Sequence, residues 1–223
     1  MDLNNKKSNF PKAINITWDD LENLVWDVYL NLNETGYDPD VVIAVARGGL
    51  VPARILLDYL QKKHICTFQM GHLTGDMTIT ENPILIYPLP EINLTDKKVL
   101  VVDDVSDEGM TMNAVVNYLS SKVGDIKTAV LVSKKDSRFK ADFCPRVMDD
   151  WRWVLFPWSK HEDLVIFTEK ALQITGGATI EEIIGILEDS MNLEIATRDI
   201  EKALSDMSIS GEIEERDGAW HLL

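Results

Sequence analysis

The chain is poor in cysteine, poor in positive charge and without a long apolar run. Of its 223 residues only two are cysteines, Cys66 and Cys144. They show no metal-site spacing, so both read as buried thiols of a reducing compartment, with a disulfide as the alternative. Lysine and arginine number 22 against 37 acidic residues, a formal charge of -15. Non-specific nucleic-acid binding needs positive surface to displace counterions, and this balance opposes it. It does not oppose a small anion, which a few aimed amides, one arginine and a metal ion can hold on an acidic protein. No apolar stretch approaches the roughly 20 residues of a membrane span. The opening residues Met1-Asp2-Leu3-Asn4-Asn5-Lys6-Lys7 lack the apolar core of a signal peptide. A cytoplasmic protein with no membrane partner is therefore expected.

What is present is a regular alternation of strands and helices. Residues 17 to 33 predict an amphipathic helix capped by Thr17, with Leu21, Leu24, Val25, Val28 and Leu32 on one stripe. Val41 to Ala46 is a continuous apolar run, as in a strand buried on both faces of a parallel sheet. A helix with Pro52 in its first turn follows. Strands are expected at 65–70, 99–102 and 128–133, with a helix at 111–119 between the last two. The glycine- and proline-bearing residues 71 to 96 read as an excursion outside the sheet, a hairpin or a loop. The fold class is thus α/β, a mostly parallel sheet flanked by helices.

After Gly176-Gly177 the character changes. Thr179 and Glu182 make a capping-box signature, a second helix starts near Thr197, and Asp217-Gly218 suits a hairpin turn. Two helices and a hairpin outline a winged helix. Residues 176–223 carry twelve acidic against three basic side chains, net -9, so no helix there offers a basic face to a phosphate backbone. A packing or oligomerisation module is the plainer reading. The expected organisation is a main domain, 1–175, and a small winged-helix-like α+β module, 176–223.

Three segments carry candidate chemistry. In the first, the strand Val99–Val102 ends in Asp103-Asp104 and continues Val105-Ser106-Asp107-Glu108-Gly109-Met110-Thr111 into a helix start. Backbone N–H groups at such a start can hold an anion, Gly109 tolerates positive φ, and Thr111 adds a hydroxyl. Carboxylates repel phosphate, so the acids would serve sugar hydroxyls or a metal; capping of the next helix is the structural alternative. In the second, Arg47-Gly48-Gly49 follows the first buried strand and offers a guanidinium fork, although Gly-Gly also suits a tight strand-to-helix turn. The third, Trp151-Arg152-Trp153-Val154-Leu155-Phe156-Pro157-Trp158, is dense in aromatics and could equally be a core strand.

Taken together, Val101 to Met112 resembles the ribose-phosphate signature of the type I phosphoribosyltransferases. The order and spacing of the other two segments resemble those of the xanthine-guanine and hypoxanthine members. The resemblance spans roughly residues 15 to 160. It implies a type I phosphoribosyltransferase fold and an enzyme that moves the phosphoribosyl group of phosphoribosyl pyrophosphate (PRPP) to a 6-oxopurine, giving a nucleoside monophosphate and pyrophosphate. Asp103 and Asp104 would meet the ribose hydroxyls and Mg²⁺. Asp107, Glu108, Gly109, Met110 and Thr111 would wrap the 5-phosphate, and Asp107 would also take a proton or hydrogen bond from the base. Arg47, Gly48 and Gly49 would form the pyrophosphate loop, which in the family can carry a non-proline cis peptide. Trp153 would stack on the purine, the Val154 backbone would meet its 2-substituent, and Lys134 would reach the 6-oxo group, with Lys135 as competitor. Residues 71 to 82 would cover the site. Family members usually pair, so a homodimer or higher homo-oligomer is expected.

One departure stands inside the signature. Glu108 replaces a usual threonine, which removes a phosphate donor and adds like charge; its side chain is expected to point outward. Three rivals remain: transfer to adenine or a pyrimidine, a PRPP-sensing regulator whose C-terminal module binds nucleic acid, and a non-catalytic assembly protein.

Overall fold

Val42 to Val45 are all buried, and a strand without an exposed face needs a neighbour on each side and a layer above and below. The computed structural model, which describes residues 10–73 and 79–223, supplies them. Elements are β1 (Ala13–Asn15), α1 (Trp18–Thr35), β2 (Val41–Ala46), α2 (Leu50–Tyr59), β3 (Ile65–Leu73), β4 (Ile79–Tyr87), β5 (Leu94–Ser106), α3 (Met110–Leu119), β6 (Val123–Lys134), β7 (Arg146–Met148), β8 (Trp153–Leu155), α4 (Lys160–Thr175), α5 (Ile180–Met191), α6 (Thr197–Ile209), β9 (Ile213–Arg216) and β10 (Ala219–Leu222).

The chain divides into two compact units, residues 19–151 and residues 1–18 with 152–223. Helix α4, on the N-terminal side of the 175/176 boundary expected from the sequence, shares its core with α5 and α6.

The first unit is a six-stranded sheet in the order β4-β3-β2-β5-β6-β7. All neighbours are parallel except β3 with β4. Ile43, Val45, Val99, Val101 and Val130 share one core with Met112, Val115 and Leu119 of α3. Alternation along the strands sends Val42, Ala44, Leu100 and Val102 to the other face, and α2 packs against β2 and β5 through buried Ala53, Leu56 and Leu57. On α1, Leu21, Leu24, Val25, Val28 and Leu32 are buried, the stripe expected from spacing.

One expectation is corrected. Within 71–96, β4 belongs to the sheet as its edge strand, paired antiparallel with β3. Pro83 does not prevent this, since an edge strand has a side on which a missing N–H costs nothing. Cys66 and Cys144 are half-buried free thiols rather than fully buried ones.

In the second unit, β1 pairs parallel with β8, and helices α4, α5 and α6 close a separate core around Phe167, Leu187, Ile200 and Leu204. The Thr179–Glu182 capping box forms in both directions. Asp217 and Gly218 take positive φ between β9 and β10, the turn a two-residue hairpin needs. Ala178 exchanges two backbone hydrogen bonds with Trp220, tying the hairpin to the start of α5. Here lies the small C-terminal antiparallel sheet of the winged-helix outline.

Candidate active site

β5 enters the site as a buried strand and leaves it as a turn. Asp103 is 8% exposed. Its Oδ1 accepts from the Asp104 amide at 3.0 Å, and Asp104 Oδ1 accepts from the Val105 amide at 2.7 Å. Burial, and then the like charge of Asp104, push the Asp103 carboxyl well above the usual carboxylate range.

The Arg47-Gly48-Gly49 loop is pressed against this strand end. A Cβ on Gly48 would overlap the Asp104 carboxylate, and one on Gly49 would overlap the Val102 carbonyl. The Gly49 amide donates to the Val45 carbonyl at 2.9 Å, and the Ala46–Arg47 peptide bond is cis. Arg47 is exposed. Two segments that the sequence could relate only by their order are thus in van der Waals contact, and glycine is required at the contact.

Beyond the acids the chain turns through Asp107 and Glu108 to Gly109, at φ 84 the N-cap of α3. The first amides of a helix lack intrahelical partners and favour an anion. Residues 105–112 line a cavity of about 480 Å³, with His72 of β3 and Glu81 of β4 lining it too. Part of the hairpin assigned as a cover therefore faces the phosphate loop; its residues 74–78 lie outside the described residues. His72 Nδ1 lies 3.0 Å from the Thr80 carbonyl. A carbonyl only accepts, so Nδ1 carries the proton, and in the neutral ring Nε2 does not. Glu108 is exposed, and its carbonyl accepts from the Arg138 amide at 3.0 Å.

Lys134, at the end of β6, is 6% exposed, whereas Lys135 is exposed. The Lys134 ammonium donates to Asp107 Oδ2 at 2.7 Å. The other oxygen of Asp107 accepts from the indole N–H of Trp151 at 3.0 Å, and Lys134 Nζ stands 4.0 Å from the centre of a Trp151 ring. Of the two lysines left open by the sequence, Lys134 is the one brought to Asp107.

Trp153 and Val154 stand on β8 in the second unit. The Trp153 indole donates to Asp163 at 3.0 Å, and its ring meets Phe167 edge-on at 5.6 Å.

Two features escaped the sequence. One is Trp151, noticed only as part of an aromatic run. The other is the brace behind the phosphate loop, where Ser106 and Ser137 hydroxyls lie 2.8 Å apart and Phe139 fills the space beside Gly109. Nothing local in the sequence marks Ser137 or Phe139.

A phosphoribosyl transferase domain model matches residues 17–163. The chain belongs to the phosphoribosyltransferase family. The match includes the whole sheet and passes from the first unit into β8 and the start of α4. The family supplies enzymes, and the matched residues include Asp103, Asp104 and Arg47-Gly48-Gly49. It is 28% identical over 144 residues to xanthine-guanine phosphoribosyltransferase of Gluconobacter oxydans, a match covering 64% of this chain and 82% of that one. Among solved structures, purine phosphoribosyltransferase from Pyrococcus horikoshii is 31% identical, with a TM-score of 0.57 over 66% of this chain and 93% of that one. A Neisseria gonorrhoeae protein solved with bound ppGpp is 26% identical, with a TM-score of 0.55 over 67% and 90%. In both structures the likeness leaves about a third of this chain uncovered.

Proposed function

We propose that this phosphoribosyltransferase transfers the 5-phosphoribosyl group of PRPP to a 6-oxopurine: xanthine, hypoxanthine or guanine. The observation that carries the reading is the buried Lys134 ammonium held 2.7 Å from Asp107 beside the phosphate cavity. An ammonium favours a carbonyl over an amine at its tip, and a carboxylate beside it accepts an N–H. A 6-oxopurine offers both, whereas adenine presents an amine to the lysine. The name of the G. oxydans relative supports the same substrate class, and that of the P. horikoshii protein supports a purine.

The bond that breaks joins the ribose anomeric carbon to pyrophosphate; the bond that forms joins that carbon to a purine nitrogen. In this reading residues 107–111 hold the 5-phosphate with helix-start amides and the Thr111 hydroxyl. Arg47 and the Gly48 amide take the charge that builds on pyrophosphate, with Gly49 shaping the loop through its bond to Val45. Lys134 and Asp107 hold the base in line, and Asp107 accepts a hydrogen bond or proton as the base attacks. The assignment of Trp153 and Val154 to the base rests on the sequence resemblance.

A divalent cation fits the acid pair. Asp103 is buried beside a like charge, which a cation relieves. No group of three or more histidine, cysteine or acidic side chains able to hold a metal occurs among the described residues. That suits Mg²⁺, which takes one or two carboxylates and fills its remaining positions with substrate oxygens and water. Asp103 and Asp104 would hold it, and when bound it supplies charge neutralisation to the pyrophosphate. Purine salvage in the cytoplasm by a homodimer is the setting the family resemblance suggests.

The test is direct. The protein is incubated with Mg²⁺, PRPP and, separately, xanthine, hypoxanthine, guanine, adenine, uracil and orotate. Nucleotide is expected from at least one 6-oxopurine. Product from adenine or a pyrimidine alone overturns the base assignment, and no product from any base overturns transfer.

A further inference from the structure

We propose that Trp151 is the positioning residue of the base site, setting the plane of the Asp107 carboxylate through its indole N–H. The inference deepens, and rests on, the reading of Asp107 and Lys134 as the base-binding pair.

The Asp107 side chain is 49% exposed and stands on a turn. Left alone, such a carboxylate rotates among several orientations. Here each oxygen receives one donor from a different direction: Oδ2 from Lys134 at 2.7 Å, Oδ1 from Trp151 Nε1 at 3.0 Å. Two donors on two oxygens fix the plane, which one donor does not. Each oxygen keeps acceptor capacity for an incoming N–H. Trp151 is itself 48% exposed, so water could satisfy its single N–H; instead the N–H is aimed at the carboxylate.

The same ring acts on the other member of the pair. With Nζ 4.0 Å from a ring centre, the indole face steadies the ammonium by cation–π attraction, and of its three N–H donors one goes to Asp107. A neutral donor also suits the chemistry better than a second cation. It orients Asp107 without cancelling the charge that makes it an acceptor. Lys134 from β6 is a cation already held against Asp107.

Two variants separate the roles. Trp151→Phe keeps a ring and removes the N–H; Trp151→Leu removes both. With the full chain, Mg²⁺, PRPP and the preferred base, Trp151→Phe is expected to lower kcat about tenfold, the scale of one hydrogen bond to a charged group. KM for PRPP should be unchanged. Trp151→Leu should add a rise in KM for the base. Wild-type kcat in Trp151→Phe, or a fall in kcat matched by an equal rise in KM for PRPP, would overturn the proposal. Failure of the unsubstituted chain to make nucleotide would instead overturn the reading of the site beneath it.

Discussion

The carboxylate of Asp104 occupies the space that a side chain on Gly48 would need. Gly48 lies on the turn after β2 and Asp104 near the end of β5, and their contact welds the glycine loop to the acid pair. An alanine at Gly48 meets the end of a side chain rather than backbone, so the fold can yield by moving Asp104. Gly48→Ala should therefore melt near the unsubstituted temperature yet raise KM for PRPP at least about tenfold, as expected when an aimed, charge-bearing group is displaced. Steady-state kinetics with PRPP varied, beside a thermal melt, checks both halves.

Lys134 is buried and its partner is half exposed. Lys134→Met keeps the apolar stem and removes the charge, while water can still solvate Asp107. Expression and folding should survive. Because a site built to hydrogen-bond a group loses most when that bond is lost, kcat/KM for 6-oxopurines should fall about a hundredfold, with KM for PRPP little altered. A fall equal for adenine and for the 6-oxopurines would argue against a carbonyl-reading role.

Burial and the charge of Asp104 raise the Asp103 carboxyl above its ordinary value, about 3.9 in an unfolded chain. The folded state thus binds the proton more tightly than the unfolded state. The stabilisation is fully present below about pH 3.9 and is lost as pH rises through the raised folded value. Asp103→Asn, which carries no charge to desolvate, should melt higher than the parent at pH 7, and the gap should narrow toward pH 4. Its turnover should drop. Melting curves across that range test the sign: a variant that melts lower at pH 7 would contradict a buried, disfavoured carboxylate.

At the start of α5 the Thr179 hydroxyl accepts from the Glu182 amide at 3.2 Å, and the Glu182 carboxylate accepts from the Thr179 amide at 2.9 Å. Thr179→Ala removes the hydroxyl acceptor, leaves the backbone half of the box in place, and should cost about 1 kcal/mol of stability. Thr179→Ser retains the hydroxyl and should lie close to the parent in urea denaturation.

Local periodicity carried the elements that bury one face or both. The α1 stripe, the β2 run, the Thr179 box and the Asp217-Gly218 turn all formed where spacing and turn chemistry put them. The edge strand β4 was harder to read, because Pro83 and the nearby glycines are loop signals, and an edge position is what makes the proline harmless. Within the site, the acid pair and the glycine loop were legible as motifs. Their contact was not, since it depends on β2 and β5 being sheet neighbours. Trp151 was passed over for Trp153 because aromatic spacing says nothing about which indole N–H finds a carboxylate: Trp151 meets Asp107, Trp153 meets Asp163. The pairing of β1 with β8 is long-range, and no window of sequence contains it.

That pairing has a consequence for how the chain is made. Strand Ala13–Asn15 leaves the ribosome before the six-stranded sheet, and its partner Trp153–Leu155 follows only after the whole of it. The sheet can close on its own residues while the early strand waits with open N–H and C=O groups, a sticky edge in the meantime. Joining the two is a contact of long sequence separation, and such contacts set the pace of folding. A nascent or truncated chain ending before residue 153 holds that edge unsatisfied, and this is the form in which the protein is most exposed to self-association.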